Sequence, residues 1–368
     1  MKKYALLFSM SLVVLFIYSC QKKAAPTVSG TTMYLDLPST PDNYYTSVPG
    51  DNNKATVGRV LFYDTHLSIN NAVACGSCHK QVLGFADNVS LSTGFEGRLT
   101  KRNTPAIQNI GNSIETFESQ FVMNTDNSML FWDGRENNLI NMMLRPISNH
   151  VEMGMEDASV LPQKLAGLVY YNRLFAQTYG DSSITTDRIS ECLAAFTASI
   201  STQQSRFDQY TQGNTTVFTA QEQEGMNLFV NKYNCTNCHH VTTGGYNGAI
   251  TDFKDIGLDQ SYKDMGRGTI TGLNTDNGTF KVPSLRNVAL TAPYMHDGRF
   301  ATLSDVIDHY SHGIKPSQNL DTNLKTNKQP MQMNISDEEK QALIAFLNTF
   351  TDYTTTVDPK FSNPFKLK

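Results

Sequence analysis

A five-residue pattern, Cys-x-x-Cys-His, occurs twice in the chain. Its members are Cys75, Cys78 and His79 in the first half, and Cys235, Cys238 and His239 in the second. Two thiols at this spacing can bond to the two vinyl groups of one haem, and the histidine then lies under the ring as an iron ligand. A structural zinc site would need a second Cys or His pair nearby, and a thioredoxin-like site would need a βαβ context. Neither is evident, so the motifs predict two covalent c-type haems rather than zinc, a redox dithiol or disulfides.

The two halves of the sequence share one layout. In each half a helix precedes the motif, a long loop region follows it, and another helix closes the half. The expected helices are residues 54–63, 186–200, 220–232 and 336–350. Capping boxes mark several helix starts, because a Ser or Thr is followed three residues later by Glu or Asp. These pairs are Thr219 with Glu222, Ser336 with Glu339, and Thr302 with Asp305.

The layout predicts a mainly α fold, in which two cytochrome c-like haem domains pack against each other and carry long loops. The expected domains are residues 54–208 and 217–352, joined where the sequence turns to Gln, Gly, Asn and Thr. Residues 353–368 are expected to form a tail. The lone Cys192 lies on an apolar helix face with Ile189 and is expected to be a buried free thiol.

The N-terminal segment 1–20 has the pattern of a signal peptide. Two lysines precede an apolar run that is too short to span a bilayer comfortably. The run ends in Ile17-Tyr-Ser-Cys20, which is similar to a bacterial lipobox and predicts acylation of Cys20; plain secretion with cleavage nearby is the alternative. Residues 21–53 are expected to be a tether and lead-in. The chain is thus predicted to be periplasmic, anchored to a membrane by lipid.

The charge of the chain argues against a nucleic-acid partner. Charged residues make up 17% of the sequence, and the formal net charge is −4. There is neither a basic footprint for DNA or RNA nor an acidic block.

Six further motifs lie between the haem motifs and around them. They are Gly58-Arg-Val-Leu-Phe-Tyr-Asp64, Arg102-Asn-Thr-Pro105, Phe131-Trp-Asp-Gly-Arg135, Val151-Glu-Met153, Val282-Pro-Ser-Leu-Arg-Asn287 and Ala292-Pro-Tyr-Met-His-Asp-Gly298. Over residues 54–352, these motifs resemble the bacterial dihaem cytochrome c peroxidases and their relatives of the MauG type. The resemblance implies that the haem of the first half meets peroxide and that the haem of the second half handles electrons.

The resemblance also implies roles for individual side chains. Glu152 matches the family's distal acid–base carboxylate, which would move protons as the O–O bond of peroxide breaks. Trp132, the only tryptophan in the chain, matches the family's electron relay between the two haems. A calcium ion between the domains is implied as well. Its ligands would be the Asn103 side chain and the backbone carbonyls of Thr291 and Pro293.

The sequence departs from the classical peroxidases on the distal side of the first haem. Phe95 stands where those proteins have a removable distal histidine. We therefore expect the first haem to be five-coordinate and open to peroxide without prior reduction. His150 lies near Glu152 and is a second possible distal group; otherwise it is a pocket or surface residue. The family's distal glutamine is absent, its position falling near Met142.

The sixth ligand of the second haem has two interpretations. Counting from His296 along the motif places Tyr310 at the ligand position, as in MauG-type proteins. Tyrosinate would stabilise oxidised iron and lower the potential. The alternative is a core tyrosine with Met295, Met331 or Met333 as the ligand.

These observations support three hypotheses of function. The leading one is a dihaem peroxidase that reduces hydrogen peroxide to water with electrons from a small redox protein, a cytochrome c or a cupredoxin. The second is a MauG-like enzyme that uses peroxide to oxidise a protein or small molecule. The third is an electron carrier without turnover. A homodimer is possible in each case.

Overall fold

A computed structural model describes residues 33–38, 45, 52–110, 129–241 and 252–367. Within these residues the fold is mainly helical. The α-helices are α1 (Asn52–Tyr63), α2 (Cys75–Cys78), α3 (Leu139–Leu144), α4 (Leu161–Ala166), α5 (Val169–Tyr179), α6 (Thr186–Ser199), α7 (Arg206–Thr211), α8 (Ala220–Asn227), α9 (Gly268–Thr271), α10 (Leu303–Asp308), α11 (Asp337–Asn348) and α12 (Thr354–Val357). The strands are β1 (Met33–Leu35), β2 (Phe253–Lys254), β3 (Phe280–Lys281), β4 (Lys325–Thr326), β5 (Gln329–Pro330) and β6 (Phe365–Leu367). They form three antiparallel pairs, β1 with β6, β2 with β3 and β4 with β5.

The core of each half is a crossing of its first and last long helices. In the first half α1 packs on α6, and in the second half α8 packs on α11. A glycine lies at each crossing, where a Cβ on Gly58 would sit 1.8 Å from the Cys192 carbonyl oxygen and one on Gly225 would sit 1.9 Å from that of Ala342. The two halves therefore repeat one packing solution, and the prediction of two cytochrome c-like domains in a mainly α fold is confirmed.

The capping boxes predicted from the sequence form as expected. Thr219, Thr302 and Ser336 each accept a hydrogen bond from the backbone N–H three residues on, and the acid at that position bonds back. Two of these helices end in a wider helical turn. Helix α8 continues as a π-helical turn over Leu228–Lys232, and α10 continues as one over His309–Gly313. Such wider turns are frequent at functional sites.

The C-terminal segment, expected to be a tail, instead packs on the first half. Phe361 is fully buried in the core of that half, and Arg59 of α1 donates from Nε to the Ser362 carbonyl at 2.7 Å. Strand β6 pairs with β1, so the chain returns to its own lead-in. Tyr45 of the lead-in is buried in the same core.

Buried polar contacts join the two halves. Arg286 forms a bidentate ion pair with Asp208 at 2.9 and 2.7 Å. Its carbonyl accepts a bond of 2.7 Å from Gln108 Nε2, and Gln108 in turn accepts one from Asn287. Since Gln108 belongs to the first half, these bonds fix the segment of Arg286 and Asn287 against the first half.

No helix in the described part of the chain is long and apolar enough to cross a bilayer. The predicted signal peptide and Cys20 lie outside the described residues.

Candidate active site

The first Cys-x-x-Cys-His motif forms one helical turn. Helix α2 carries Cys75 and Cys78, and the backbone N–H of His79 closes the turn on the Cys75 carbonyl at 2.9 Å. His79 Nδ1 donates to the Phe85 carbonyl at 2.9 Å, which leaves Nε2 as the free acceptor. Burial lowers the pKa of His79. A neutral imidazole oriented through Nδ1 is the form that ligates a metal.

The second motif repeats this geometry. The backbone N–H of His239 bonds to the Cys235 carbonyl at 2.9 Å. Burial lowers the pKa of His239 to about 4, against the influence of the nearby Pro283 carbonyl. Nδ1 has no hydrogen bond of normal geometry to any described residue. The Pro283 carbonyl is thus the group to which Nδ1 would donate a hydrogen bond when Nε2 is ligated.

The four motif cysteines form no disulfide. Burial is the main reason that the pKa of Cys75 and of Cys235 rises to about 12, and that of Cys78 to about 11. Two cysteines one helical turn apart beside a half-buried imidazole fit a covalently attached haem in each half. When bound, each haem would supply a redox-active iron.

Glu152 is a half-buried acid beside the first motif. A tight turn holds it, in which the Asn149 carbonyl accepts the N–H of Glu152 at 3.1 Å and the Asn149 side chain donates to Glu152 Oε1 at 2.6 Å. Burial raises the pKa of Glu152, while Arg135 and the Asn149 bond oppose the rise. Its charge in turn raises the pKa of Cys75 and Cys78. The carboxyl therefore lies near the thiols that would hold the first haem.

Phe95 lies on the backbone of the Glu152 turn. Its N–H donates to the carbonyls of Val151 and Glu152 at 2.9 and 2.8 Å. Its ring covers Gly154, where an added Cβ would be 2.5 Å from the ring. Phe95 is thus beside the acid, as the resemblance implies. His150 is largely exposed and lies 3.9 Å from Glu156, which is a surface position rather than a distal one.

Trp132 is held by both halves of the molecule. Its indole Nε1 donates to the Asn103 carbonyl at 2.8 Å, and its own carbonyl accepts from Lys281 N at 2.8 Å. Asn103 N in turn donates to the His296 carbonyl at 2.7 Å. The indole therefore lies where the loop after the first motif meets strand β3 of the second half.

Tyr310 lies in the π-helical turn that follows α10 and is half-buried beside the second motif. Burial raises its pKa, and the charges of Cys238 and Cys235 raise it further, which places the phenol near those two sulfurs. Met333 packs in the same small apolar cluster. Met295 has a left-handed backbone, φ 75°, and no contact that distinguishes it as a ligand.

The residues that the resemblance implies for calcium are Asn103, Thr291 and Pro293. Asn103 is buried and donates through Nδ2 to the Val89 and Ser90 carbonyls at 3.1 and 3.2 Å. This orientation leaves Oδ1 available to a cation. The bond from Asn103 N to the His296 carbonyl brings the three residues into one interdomain region. No described residues form a cluster of three or more His, Cys, Asp or Glu suited to a metal, so such a site would consist of carbonyl oxygens.

Several residues of the site were not assigned by the sequence analysis. Arg135 and Asn149 both lower the pKa of Glu152, Arg135 through its charge and Asn149 through a hydrogen bond. Arg135 belongs to the Phe131–Arg135 motif, and Asn149 precedes the acid by three residues. Neither position in the sequence predicts an effect on Glu152. Lys281 is also part of the site, since burial lowers its pKa to about 8. A lysine after an aromatic residue in a short strand carries no signal for this position.

Comparison with known proteins gives the same picture. Residues 52–216 match the family model described as di-haem cytochrome c peroxidase, and residues 222–351 match that of cytochrome c. The chain is 29% identical over 324 residues to cytochrome c551 peroxidase of Nitrosomonas europaea, covering 86% of each protein. It is 31% identical over 300 residues to methylamine utilization protein MauG of Methylophilus methylotrophus, covering 80% of this chain and 82% of that protein.

A similar solved structure is that of a MauG-like protein associated with microbial copper homeostasis. The two folds superpose with a TM-score of 0.71 at 31% identity, over 89% of this chain and 96% of that one. The similarity spans both halves.

Proposed function

Because the chain belongs to the di-haem cytochrome c peroxidase family, of which MauG is also a member, we propose that it reduces hydrogen peroxide to water with electrons from a small redox protein. The observation that carries this proposal is the half-buried Glu152, close enough to the Cys75 and Cys78 thiols for its charge to raise their pKa. His79 and these thiols would hold the first haem, and His239 with Cys235 and Cys238 would hold the second. When bound, the haems supply the iron that exchanges electrons with peroxide and donor.

Glu152 performs the proton transfers. As the carboxylate, Glu152 accepts a proton from one peroxide oxygen. As the acid, it returns that proton to the other oxygen, which departs as the O–O bond breaks. Asn149 fixes the rotamer through its bond to Oε1. Arg135 limits the rise in the pKa of Glu152.

Trp132 connects the two haem sites in this proposal. Its bonds to Asn103 and Lys281 fix the ring between the halves, and an indole is readily oxidised. Phe95 cannot ligate iron, so the protein reacts with peroxide without a reductive opening step.

The test is a stopped-flow mix of the fully oxidised holoprotein with hydrogen peroxide, with and without reduced cytochrome c. Rapid donor oxidation without pre-reduction is expected. Absence of any reaction by the oxidised protein contradicts the open site. A repeat after one-electron reduction then separates a gated peroxidase from an electron carrier.

A second candidate function is peroxide-driven oxidation of a protein or small molecule, and the position of Tyr310 favours it. A half-buried phenol near Cys235 and Cys238 can become the sixth ligand of the second haem. Tyrosinate would lower the potential of that haem and make it a poor acceptor from an ordinary cytochrome. A long-lived spectral change of both haems with little donor turnover, in the same stopped-flow mix, would support this function over the first.

Three further features belong to the proposal. A calcium ion bound by Asn103 Oδ1 and the Thr291 and Pro293 carbonyls would hold the interdomain region. The chain would be exported and anchored through an acylated Cys20, and it could act as a homodimer. Metal analysis, mass spectrometry of the mature N-terminus and light scattering test these points separately.

A further inference from the structure

A buried carboxylate away from Glu152 accepts hydrogen bonds from two tyrosine hydroxyls. Asp64, which directly follows α1, accepts from Tyr170 at 2.7 Å and from Tyr171 at 2.8 Å, both on Oδ2. Its other oxygen accepts from His66 N and from His66 Nδ1, at 2.9 and 2.7 Å. The carboxylate is almost wholly shielded from solvent and acts only as an acceptor.

The two tyrosines connect the first haem motif with the surface. Tyr171 is fully buried in the core against which Cys75 packs. Cys75 lies near enough for its charge to help raise the pKa of Tyr171, after burial and Asp64. The rings of Tyr171 and Tyr170 have centroids 4.6 Å apart, and Tyr170 is only partly buried. One ring thus lies toward the first haem site and its neighbour lies toward solvent.

We propose that Tyr171, Tyr170 and Asp64 form a proton-coupled radical relay, which carries an oxidising equivalent from the peroxide-oxidised first haem to the protein surface. The inference rests on the proposed reaction with peroxide. It concerns a second exit for the oxidising equivalent, separate from Trp132 and directed away from the second haem.

The first step balances within these groups. Tyr171 would give one electron to the first haem, for which peroxide is the oxidant; its phenolic O–H bond breaks, and the proton forms a new O–H bond on Asp64 Oδ2. The separation of 2.8 Å is within the range for direct proton transfer. Because burial and Asp64 keep Tyr171 protonated, its oxidation needs such an acceptor.

The second step uses the same carboxylate. The Tyr171 radical takes an electron from Tyr170 and recovers a proton from Asp64, while Tyr170 gives its own proton to Asp64. The carboxyl group carries one proton before and after this exchange, so the radical moves outward without net charge displacement. A one-electron donor in solution, such as the small redox protein of the proposed reaction, then reduces Tyr170, which recovers the proton.

The test mixes the oxidised holoprotein with hydrogen peroxide without donor, and follows it by absorbance and by freeze-quench electron paramagnetic resonance. Protein grown on ring-deuterated tyrosine identifies a tyrosyl signal by its narrowed splitting. The variants are Tyr171→Phe and Tyr170→Phe, which keep the rings. The matched control is Tyr262→Phe, because Tyr262 also donates to a buried carboxylate, Asp255, at 2.7 Å, but in the second half.

We expect a deuteration-sensitive radical in the wild type and in Tyr262→Phe, and its loss in Tyr171→Phe. In Tyr170→Phe the radical should form and resist quenching by ascorbate. A haem response without a tyrosyl signal, or an unchanged signal in Tyr171→Phe, overturns the relay while leaving the proposed function intact. A wild-type haem that does not respond to peroxide overturns both.

A second measurement needs no variant. After exposure of the wild type to peroxide, tryptic peptides are searched for oxidised tyrosine. Oxidation should concentrate in peptide 165–173, which contains both tyrosines. Oxidation spread evenly over tyrosines according to their exposure would contradict the relay.

Discussion

Glu152 is a carboxylic acid whose surroundings favour its neutral form. Burial raises its pKa above the usual 4.5, and Arg135 only partly opposes this. The proton-accepting carboxylate is therefore gained as pH rises through the raised pKa. We predict that the rate of reaction with peroxide increases with pH along a limb above pH 4.5, as measured by stopped flow across a buffer series.

Glu152→Gln should remove that limb. The rate of reaction with peroxide should fall by about 10²–10⁴-fold, the usual contribution of a positioned acid or base. Glu156→Gln is the matched control, since Glu156 lies in the same loop but is largely exposed. Similar losses in both variants would show that the effect is not specific to the half-buried acid.

The proposed role of Tyr310 as ligand can be tested through the potential of the second haem. If the phenol ligates iron, Tyr310→Met should raise the midpoint potential of the second haem alone, because thioether ligands favour reduced iron more than tyrosinate does. Spectroelectrochemical titration measures this. Tyr233→Phe, which loses a bond to Glu339 on the surface of α11, should leave both potentials unchanged. An unaltered spectrum and potential in Tyr310→Phe would instead support a methionine ligand.

At the scale of helices, the glycine crossings are the most sensitive contacts. We predict that Gly225→Ala lowers the free energy of unfolding of the second half by about 1–3 kcal/mol or more, since overpacked helix contacts cost this much. The added Cβ would lie 1.9 Å from the Ala342 carbonyl oxygen. Thermal unfolding of the holoprotein measures the loss.

Gly167→Ala is the control for the helix crossing. Gly167 has a helical backbone, and the nearest atom to its added Cβ is 3.6 Å away. Its melting temperature should match that of the wild type. An equal loss in both variants would mean that glycine flexibility, rather than the close approach of α8 and α11, determines stability.

The sequence predicts helix starts better than other element features. The capping boxes at Thr219, Thr302 and Ser336 are local, because the residues that satisfy the first N–H groups lie three positions apart. The π-helical turn that carries Tyr310 depends on packing between distant segments and has no local signal. The same holds for Phe361, whose burial depends on the core of the first half rather than on its own neighbours.

Over the whole molecule, the motifs identify candidate site residues but not the contacts that hold them in place. His79, Glu152 and Trp132 were assigned because their motifs resemble those of a family with known chemistry. The bonds that position them come from residues distant in sequence, such as Lys281 to Trp132. The hydrogen bonds to Asp64 have no local sequence signal, because Tyr170 and Tyr171 lie 106 and 107 residues from the carboxylate.

Arg102 is the cation that binds the two halves beside Trp132. It pairs with Asp133 of the first half at 2.5 Å and with Asp264 of the second half at 2.7 Å, and Asn103, the next residue, accepts the indole N–H. We predict that Arg102→Ala leaves the initial reaction with peroxide near the wild-type rate but slows donor-dependent turnover. Both carboxylates lose their shared partner, and the contact that holds Trp132 against the second half loosens. Stopped flow measures both rates in one preparation. Arg188→Ala, which removes an ion pair with Asp181 at the start of α6, should leave both unchanged. A parallel fall of both rates in Arg102→Ala would place its effect in the first haem pocket instead of at the junction.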